Sequence, residues 1–209
     1  MRRPEREPGL PASTGKEFVK DSPNRLGVGV PAWHSEQMIV QTDSDVEIRP
    51  ADVSDAGRIA QVHVTSWKGA YASVLPAEYL ESLDAADRAA QWQRILDEGT
   101  RTTLVAEGDG RLLGFASYGP SRDEDAEDGD LELYAIYLDP ESWGRGVARD
   151  LMRTVLAEVP EGVPMSLWVL NQNERAQHFY RRHGFHPDGV ERMDDIGDTP
   201  VTEVRYRRG

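Results

Sequence analysis

Residues 133–152 read LYAIYLDPESWGRGVARDLM, and this stretch decides the fold. A run of apolar and aromatic residues ends at an Asp-Pro pair, which indicates a strand that stops there. Gly144, Gly146 and the small Ala148 follow, and apolar residues then recur at helical spacing. The stretch therefore predicts a strand, a glycine loop and a helix. Small residues let a ligand approach the backbone, and the free N–H groups of a first helical turn bind anions.

The glycine loop carries two arginines, Arg145 and Arg149, in an otherwise acidic chain. Their charge and the helix dipole make the junction a candidate site for a pyrophosphate. Taken alone, the Gly-x-Gly-x-Ala spacing favours a plain tight turn. The loop lacks the Gly-Lys-Ser/Thr of a Walker A motif. It also lacks the third glycine of a dinucleotide fingerprint and lies too late in the chain for an opening βαβ unit.

Strand and helix patterns continue on both sides of this stretch, from residue 46 to the end. Alternating or apolar runs predict strands, and helical spacing predicts helices, after Asp52, after Pro76, after Gly146 and over Asn173–His183. Gly108-Asp-Gly110 has the chemistry of a hairpin turn. The predicted order is βααβββαβαββ, which indicates an α/β (α+β layered) domain with a mixed central sheet flanked by helices.

The first 45 residues show no lasting pattern of either kind. They contain five prolines, six basic and seven acidic side chains. Such a segment buries too little apolar surface to offset its ordering entropy, so we expect a mostly disordered extension over 1–45 and a domain over 46–209. A dispensable tail is the simplest interpretation. The patch Val28–Val40 is compatible with a short docked strand, and Met38 is an alternative translation start.

Composition excludes several classes of function. The 209 residues carry 24 basic and 37 acidic side chains, a net charge of −13, which argues against binding to nucleic acid or anionic lipid. Cysteine is absent, which excludes disulfides, cysteine–zinc sites, iron–sulfur ligation and a thiol nucleophile. The five histidines show no metal-ligand spacing, so we expect no metal. No apolar run of about 20 residues is present, and no apolar stretch follows the N-terminal arginines. We therefore expect a soluble, cytoplasmic protein.

A second motif, Asn173-Glu-Arg-Ala-Gln-His-Phe-Tyr-Arg-Arg-His-Gly-Phe185, gives the glycine loop a more specific meaning. It resembles the Asn-x-x-Ala-x-x-x-Tyr-x-x-x-Gly-Phe helix of the GNAT superfamily of N-acetyltransferases. The loop Trp143-Gly-Arg-Gly-Val-Ala148 resembles that family's acetyl-CoA loop, usually written Gln/Arg-x-x-Gly-x-Gly/Ala. The chain departs from this pattern at Trp143, where Gln or Arg is usual. The order of elements from residue 46 onward also agrees.

The resemblance implies roles for particular residues. Acetyl-CoA is the implied co-substrate, with its pyrophosphate on the backbone amides of Trp143, Gly144, Arg145, Gly146, Val147 and Ala148. The strand segment with Ile136, Tyr137 and Leu138 is expected to separate from its neighbour and pair with the pantetheine arm. Asn173 is expected to bind the pantetheine, and Tyr180 to lie near the sulfur. The alternatives are a plain helix N-cap for Asn173 and a core aromatic for Tyr180.

The chemistry of amine acetylation sets further requirements. A lysine-like amine has a pKa near 10.4, so presenting the neutral form at pH 7 costs roughly 4.6 kcal/mol. A general base relieves much of this, and Glu132 is the candidate, with a solvated strand-edge carboxylate as the alternative. A backbone amide of Tyr137 or Leu138 is expected to stabilise negative charge on the carbonyl oxygen. Tyr180 is expected to protonate the departing thiolate. Because no cysteine can carry the acetyl group, we expect direct transfer in a ternary complex.

The acceptor side is less clearly encoded. In this family the first two helices form part of the acceptor pocket, here around Ser66–Pro76, and Trp67 and Tyr71 at i and i+4 are candidate substrate-binding residues. Core packing is the alternative for both. The acidic loop Asp123–Asp130 holds six carboxylates in eight residues, which fits either a solvated loop or a funnel for a cationic amine.

Two functions remain open from the sequence. The first is acetyl-CoA-dependent N-acetylation of a primary amine on a small molecule or a peptide. The alternative is a non-catalytic acyl-CoA-binding regulatory module on the same fold. The resemblance is also compatible with a homodimer.

Overall fold

A computed structural model describes residues 46–209, and the predictions for 1–45 lie outside the described residues. Seven strands and five α-helices form the described part of the chain. In chain order they are β1 (Glu47–Pro50), α1 (Ala56–Ala70), α2 (Ala77–Ser82), α3 (Ala85–Glu98), β2 (Thr102–Gly108), β3 (Arg111–Pro120), β4 (Leu131–Leu138), α4 (Val147–Glu158), β5 (Met165–Leu170), α5 (Glu174–Arg182), β6 (His186–Ile196) and β7 (Thr199–Arg208).

The predicted order is confirmed with one correction, because three helices rather than two lie between β1 and β2. Asp84 explains the difference. Its side chain accepts hydrogen bonds from the backbone of Ala86 and Asp87, so it caps a new helix, α3, after α2 has ended. The predicted cap at Asp52 is present and forms a reciprocal capping box with Asp55.

All seven strands form one mixed sheet in the order β1-β2-β3-β4-β5-β7-β6. Every neighbouring pair is antiparallel except β4 and β5. Helices α1 and α3 pack one face around Ile59, Trp92 and Phe115. Helix α4 packs the other face through the fully buried Leu151 and Val155. The layered α/β architecture predicted from the pattern of elements is therefore present.

The strands β4 and β5 separate part-way along their length. They pair only where Leu131–Leu133 lie beside Met165–Leu167. A bulge interrupts the β3–β4 ladder at the same level, between Ser117 and Tyr118, and leaves Tyr134 without an opposite residue. Beyond it, β4 bends away from β5 and a gap opens in the middle of the sheet. This is the separation expected for the cofactor strand.

Within residues 46–209, no helix combines the length and the apolar character needed to cross a membrane.

Candidate active site

A cleft of about 600 Å³ occupies the gap between β4 and β5. Its walls are the outer half of β4, the end of β5, the end of α1, the glycine loop before α4, and one side of α5. Most of the predicted cofactor residues line it, namely Ile136, Tyr137, Leu138, Trp143, Gly144, Gly146, Val147, Ala148 and Asn173, together with Tyr180 and Tyr71. Three predicted residues are not among the lining residues: Glu132, Trp67 and Arg145. The structure therefore brings the two sequence motifs together around one cavity.

The backbone of β4 presents a defined set of donors to the gap. The N–H of Asp139 donates to the carbonyl of Leu113 on β3, at 2.9 Å. Successive amides of a strand point to opposite sides, so the N–H of Tyr137 also points to β3. The N–H groups of Ile136 and Leu138 then point into the gap, where β5 no longer pairs with them. Of the two amides predicted to stabilise a carbonyl oxygen, this direction favours Leu138 over Tyr137.

The glycine loop ends in the open first turn of α4. Gly144 and Gly146 have φ angles of 78° and 88°, a left-handed conformation that glycine adopts without strain. The first helical hydrogen bond runs from the N–H of Asp150 to the carbonyl of Gly146, at 3.0 Å, so the preceding amides are free of helical partners. Trp143 is an exception to the predicted set, because its N–H donates to the carbonyl of Pro140. The remaining amides fit the pyrophosphate of CoA by their number and direction.

Arginine side chains add positive charge at this end of the cleft. Arg149, Arg175 and Arg182 line it, whereas the predicted Arg145 does not. Arg149 also pairs with Asp150 on its own helix, with 3.0 Å between Nε and Oδ1. Arg175 lies over the ring of Trp143, 4.4 Å from its centroid. Trp143, at the position where Gln or Arg was expected, thus contacts an arginine that lines the cleft.

Helix α5 carries the two side chains predicted to face the reacting end. The side chain of Asn173 accepts a hydrogen bond from the N–H of Ala176, so the N-cap interpretation is confirmed, and the residue also lines the cleft. Tyr180 is partly exposed in the cleft. Burial of its ring raises the pKa of Tyr180 above the usual value for tyrosine, and so does the charge of Tyr71. Its hydroxyl therefore keeps its proton at neutral pH and can donate it.

The two aromatic candidates for the acceptor pocket have different surroundings. Trp67 is 1% exposed and belongs to a hydrophobic cluster between α1, α2 and β7. Tyr71 packs edge to face on it, with ring centroids 5.2 Å apart, and lines the cleft. Burial raises the pKa of Tyr71 to about 12, and its hydroxyl contacts the side chains of Asn173 and Tyr137. The core interpretation therefore fits Trp67, whereas Tyr71 reaches the site.

The structure gives Glu132 a different environment from that of a general base. Its side chain is buried, and its oxygens accept hydrogen bonds from the backbone N–H, Nε and Nη2 of Arg122. The Arg122 guanidinium also lies over the ring of Tyr134, 4.0 Å from the centroid. Because Glu132 does not line the cleft and Arg122 occupies both of its oxygens, the geometry does not support its predicted role.

A sequence model of the acetyltransferase (GNAT) family matches residues 66–185, which is more than half of the chain. The chain belongs to the GNAT acetyltransferase family. It is 37% identical over 135 residues to an uncharacterized N-acetyltransferase, YuaI, of Bacillus subtilis, covering 61% of this chain and 73% of that one. It is 29% identical over 162 residues to a phosphinothricin N-acetyltransferase of Alcaligenes faecalis, covering 78% of this chain and 73% of that one. Membership identifies the chain as an acyltransferase.

Solved structures of GNAT proteins share this fold. The PaiA N-acetyltransferase of Thermoplasma acidophilum, crystallised with coenzyme A, superposes with a TM-score of 0.61 at 22% identity, covering 78% of this chain and 98% of that one. At that identity the likeness establishes the fold. The order of strands and the open gap described above are therefore the GNAT arrangement.

The acidic loop of this GNAT protein is largely engaged in ion pairs. Asp123 and Asp125 both pair with Arg205 on β7, at 3.3 and 2.5 Å. Asp130 pairs with Arg207, at 3.1 Å. Half of the six carboxylates are therefore paired with arginines of β7, which weakens the prediction of a funnel, and of these three only Asp125 is exposed. The exposed remainder is Glu124, Glu127 and Asp128.

Several residues of the GNAT site were missed in the sequence. Arg175 and Arg182 lie seven residues apart, so helical spacing in α5 contained a usable signal. Trp168 lies inside an apolar strand run, and nothing local separated it from core residues. Glu203 on β7, which is buried and does not line the cleft, was missed as well, although a single acidic residue at a core-facing position of an alternating strand is unusual. Among residues 46–209, no group of three or more His, Asp and Glu side chains is arranged to hold a metal ion.

Proposed function

We propose that the protein transfers the acetyl group of acetyl-CoA to a primary amine of a small molecule or a peptide, by direct attack in a ternary complex. The observation that carries this proposal is the gap between β4 and β5, which opens directly onto the free amides at the start of α4. One end of the gap suits the pyrophosphate of CoA, and the length of the gap suits an extended pantetheine arm. The strand amides supply donors along that arm.

Acetyl-CoA supplies an activated acyl group, a thioester, when it is bound. The chain itself holds the pyrophosphate on the amides that follow Trp143, with Arg149 and Arg175 as nearby positive charge. The N–H of Leu138 is preset to stabilise negative charge that develops on a carbonyl oxygen. The hydroxyl of Tyr180 lines the cleft and is protonated at neutral pH, so it is the proton donor for the departing sulfur.

The acceptor amine enters on the side of α1. Ser66, Ala70 and Tyr71 line the cleft there. The phosphinothricin N-acetyltransferase relative is named for a small amino-acid-like amine, which supports a primary amine as the acceptor class. Direct transfer is supported by the chain's lack of cysteine, since no thiol is available to carry the acetyl group.

The test uses the full chain, acetyl-CoA and a panel of amines: phosphinothricin, a lysine-containing peptide and spermidine. Released CoA is followed with a thiol reagent, which cannot react with this protein because it has no cysteine. We expect acceptor-dependent release of CoA, with initial-rate lines that intersect when both substrates are varied. Parallel lines would contradict direct transfer in a ternary complex.

One observation favours the alternative of a non-catalytic acyl-CoA-binding module. Among the described residues that line the cleft, none is Asp or Glu, so no carboxylate faces the bound amine directly. Tight binding of acetyl-CoA by calorimetry, with no CoA release for any amine of the panel, would support that alternative. It would also reject the acetyltransferase proposal.

A further inference from the structure

An amine acetyltransferase must remove a proton from an ammonium group, and the cleft lining described above lacks a carboxylate for this task. A general base can act through one intervening group, so a carboxylate just behind the wall is sufficient. Glu203 on β7 lies in such a place. Its cross-strand neighbour on β5 is Leu170, and Leu170 lines the cleft.

Glu203 faces the acceptor side of the sheet. Along β7 the side chains of Val201, Glu203 and Arg205 are buried on one face, because successive residues of a strand alternate between faces. Val201 packs in the same cluster as Leu170 and Tyr71. Glu203 is therefore directed toward the layer that contains the end of α1, and not toward α4 or α5.

One oxygen of this carboxylate has no partner. Glu203 is 0% exposed, and its Oε2 accepts a hydrogen bond from Nε of Arg192, at 2.7 Å. Its Oε1 makes no hydrogen bond, and it is the only buried carboxylate oxygen in that condition within residues 46–209. An unpaired buried acceptor lowers the stability of a protein by roughly 1–3 kcal/mol. A protein that keeps one therefore needs a reason for it, such as a role in catalysis.

Two tyrosines connect Glu203 to the cleft. Tyr71 packs in one cluster with Leu170, the cross-strand neighbour of Glu203, and with Val201, the preceding residue on the same face of β7; Tyr137 packs against that cluster. Tyr71 also lines the cleft. The Tyr71 side chain therefore joins the surroundings of Glu203 to the wall of the cleft.

The electrostatic surroundings keep Glu203 responsive to protons. Burial raises its pKa above the usual value for glutamate, and Arg192 partly offsets this. Asp194 on β6 and Glu132 on β4 raise the pKa further. The charged and titratable groups that face Glu203 from the neighbouring elements are thus Arg192, Asp194, Glu132, Tyr71 and Tyr137, with Arg205 two residues along β7.

We propose that Glu203 is the proton acceptor for the amine, and that the Tyr71 hydroxyl passes the proton to its unpaired oxygen, directly or through one water molecule. This inference rests on the proposed function. The ammonium gives one proton to Tyr71 as Tyr71 gives its own to Glu203. The neutral amine then forms the C–N bond while the C–S bond breaks, and Tyr180 protonates the sulfur. The second amine proton replaces the one that Tyr180 lost, and Glu203 returns its proton to solvent.

The central test is the pH profile of kcat/KM for Glu203→Gln, measured with the amine that the wild type uses best. We expect kcat/KM to fall by about 100-fold and the acidic limb of the profile to disappear, because the titrating group is gone. Tyr71→Phe is expected to lower kcat/KM to a similar degree. Glu191→Gln is the matched control, because it removes the same charge from an exposed position on β6. Its profile is expected to match the wild type.

A second variant keeps the test decisive if Glu203→Gln fails to fold. Arg192 is partly exposed, and its charge lowers the pKa of Glu203. Arg192→Gln is therefore expected to move the acidic limb of the profile to higher pH without removing it. A merely structural role for Glu203 predicts lower protein stability in these variants but an unchanged position of that limb.

The two proposals fail in different ways. If the wild type releases CoA but both variants retain its pH profile and rate, the role of Glu203 is wrong and the acetyltransferase proposal stands. If the wild type binds acetyl-CoA but acetylates no amine of the panel, the proposed function is wrong and the role of Glu203 is rejected with it.

Discussion

The fully buried histidine on α1 gives a quantitative prediction for stability. His63 is 1% exposed, stacks on Tyr137 with ring centroids 5.0 Å apart, and accepts a hydrogen bond at Nδ1 from Nε1 of Trp92, at 3.2 Å. Burial lowers the pKa of His63 to about 3, whereas an unfolded histidine has a pKa of about 6.5. The folded protein therefore keeps this imidazole neutral over the whole range in which the unfolded chain becomes protonated.

The sign and size of the effect follow from linkage. Between pH 6.5 and 3 the unfolded state binds one more proton than the folded state at this position, so stability falls as the pH falls. Between pH 7 and pH 5 the calculated loss is about 2 kcal/mol, since each of the roughly 1.5 pH units below the unfolded pKa of about 6.5 costs about 1.36 kcal/mol. Carboxylates with ordinary pKa values titrate mostly below pH 5. Other groups that titrate near this window, such as Glu203 with its raised pKa, are shared by the wild type and a His63 variant, so the difference between the two reports on His63.

The assay is urea unfolding of the wild type and of His63→Gln at pH 7, 6 and 5. The variant is less stable at every pH, but we expect its free energy of unfolding to lose about 2 kcal/mol less than the wild type between pH 7 and 5. His178→Gln is the control, because His178 is exposed on α5. Equal losses in the wild type and in His63→Gln would refute the reasoning, since some other group would then carry the pH dependence.

Three further predictions concern the cleft. Tyr180→Phe is expected to lower kcat by about 100-fold while the Kd for acetyl-CoA, measured by calorimetry, stays unchanged, because only the proton donor is lost; a rate within twofold of the wild type would contradict this. Gly146→Ala places a side chain on a residue with a φ of 88°. The free energy of unfolding in urea should therefore fall by about 1–2 kcal/mol, and calorimetry should show a weaker affinity for CoA. Gly57→Ala, in an open helical position, is the control. Asn173→Ala removes the N-cap of α5, and a loss of about 1 kcal/mol is expected in unfolding experiments; no loss would mean that the cap contributes nothing.

Local patterns were sufficient for most of the fold. The apolar and aromatic run in Leu131–Leu138 and the helical spacing after Gly146 depend on neighbours in sequence, and both elements lie where they were predicted. The boundary between α2 and α3 at Asp84 was missed for a local reason. The capping carboxylate starts a new helix, while the helical spacing of the apolar residues continues across it. Errors of this kind shift a boundary and leave the architecture unchanged.

The candidate site could be predicted only where its residues lie in one contiguous segment. The glycine loop is part of one strand-to-helix unit, and Asn173 and Tyr180 belong to one helix. The spacing of these residues in sequence therefore determines their spacing in space. Trp67 and Tyr71 lie at i and i+4 and pack in the same core cluster, yet only Tyr71 also lines the cleft. The difference comes from α2 and β7, which pack on Trp67, and no pattern within α1 encodes those contacts.

The two buried glutamates show how little the sequence distinguishes between candidates for the proton acceptor. Both lie on strands of the same sheet and both have an arginine partner, so sequence gives no reason to prefer Glu203 over Glu132. Arg122 lies only ten residues before Glu132 in sequence, and it places three donors on that carboxylate. Arg192 reaches only one oxygen of Glu203, from across the β6–β7 hairpin. The free oxygen therefore exists because β7 inserts between β5 and β6, a non-local arrangement that also sets Glu203 beside Leu170 at the edge of the cleft.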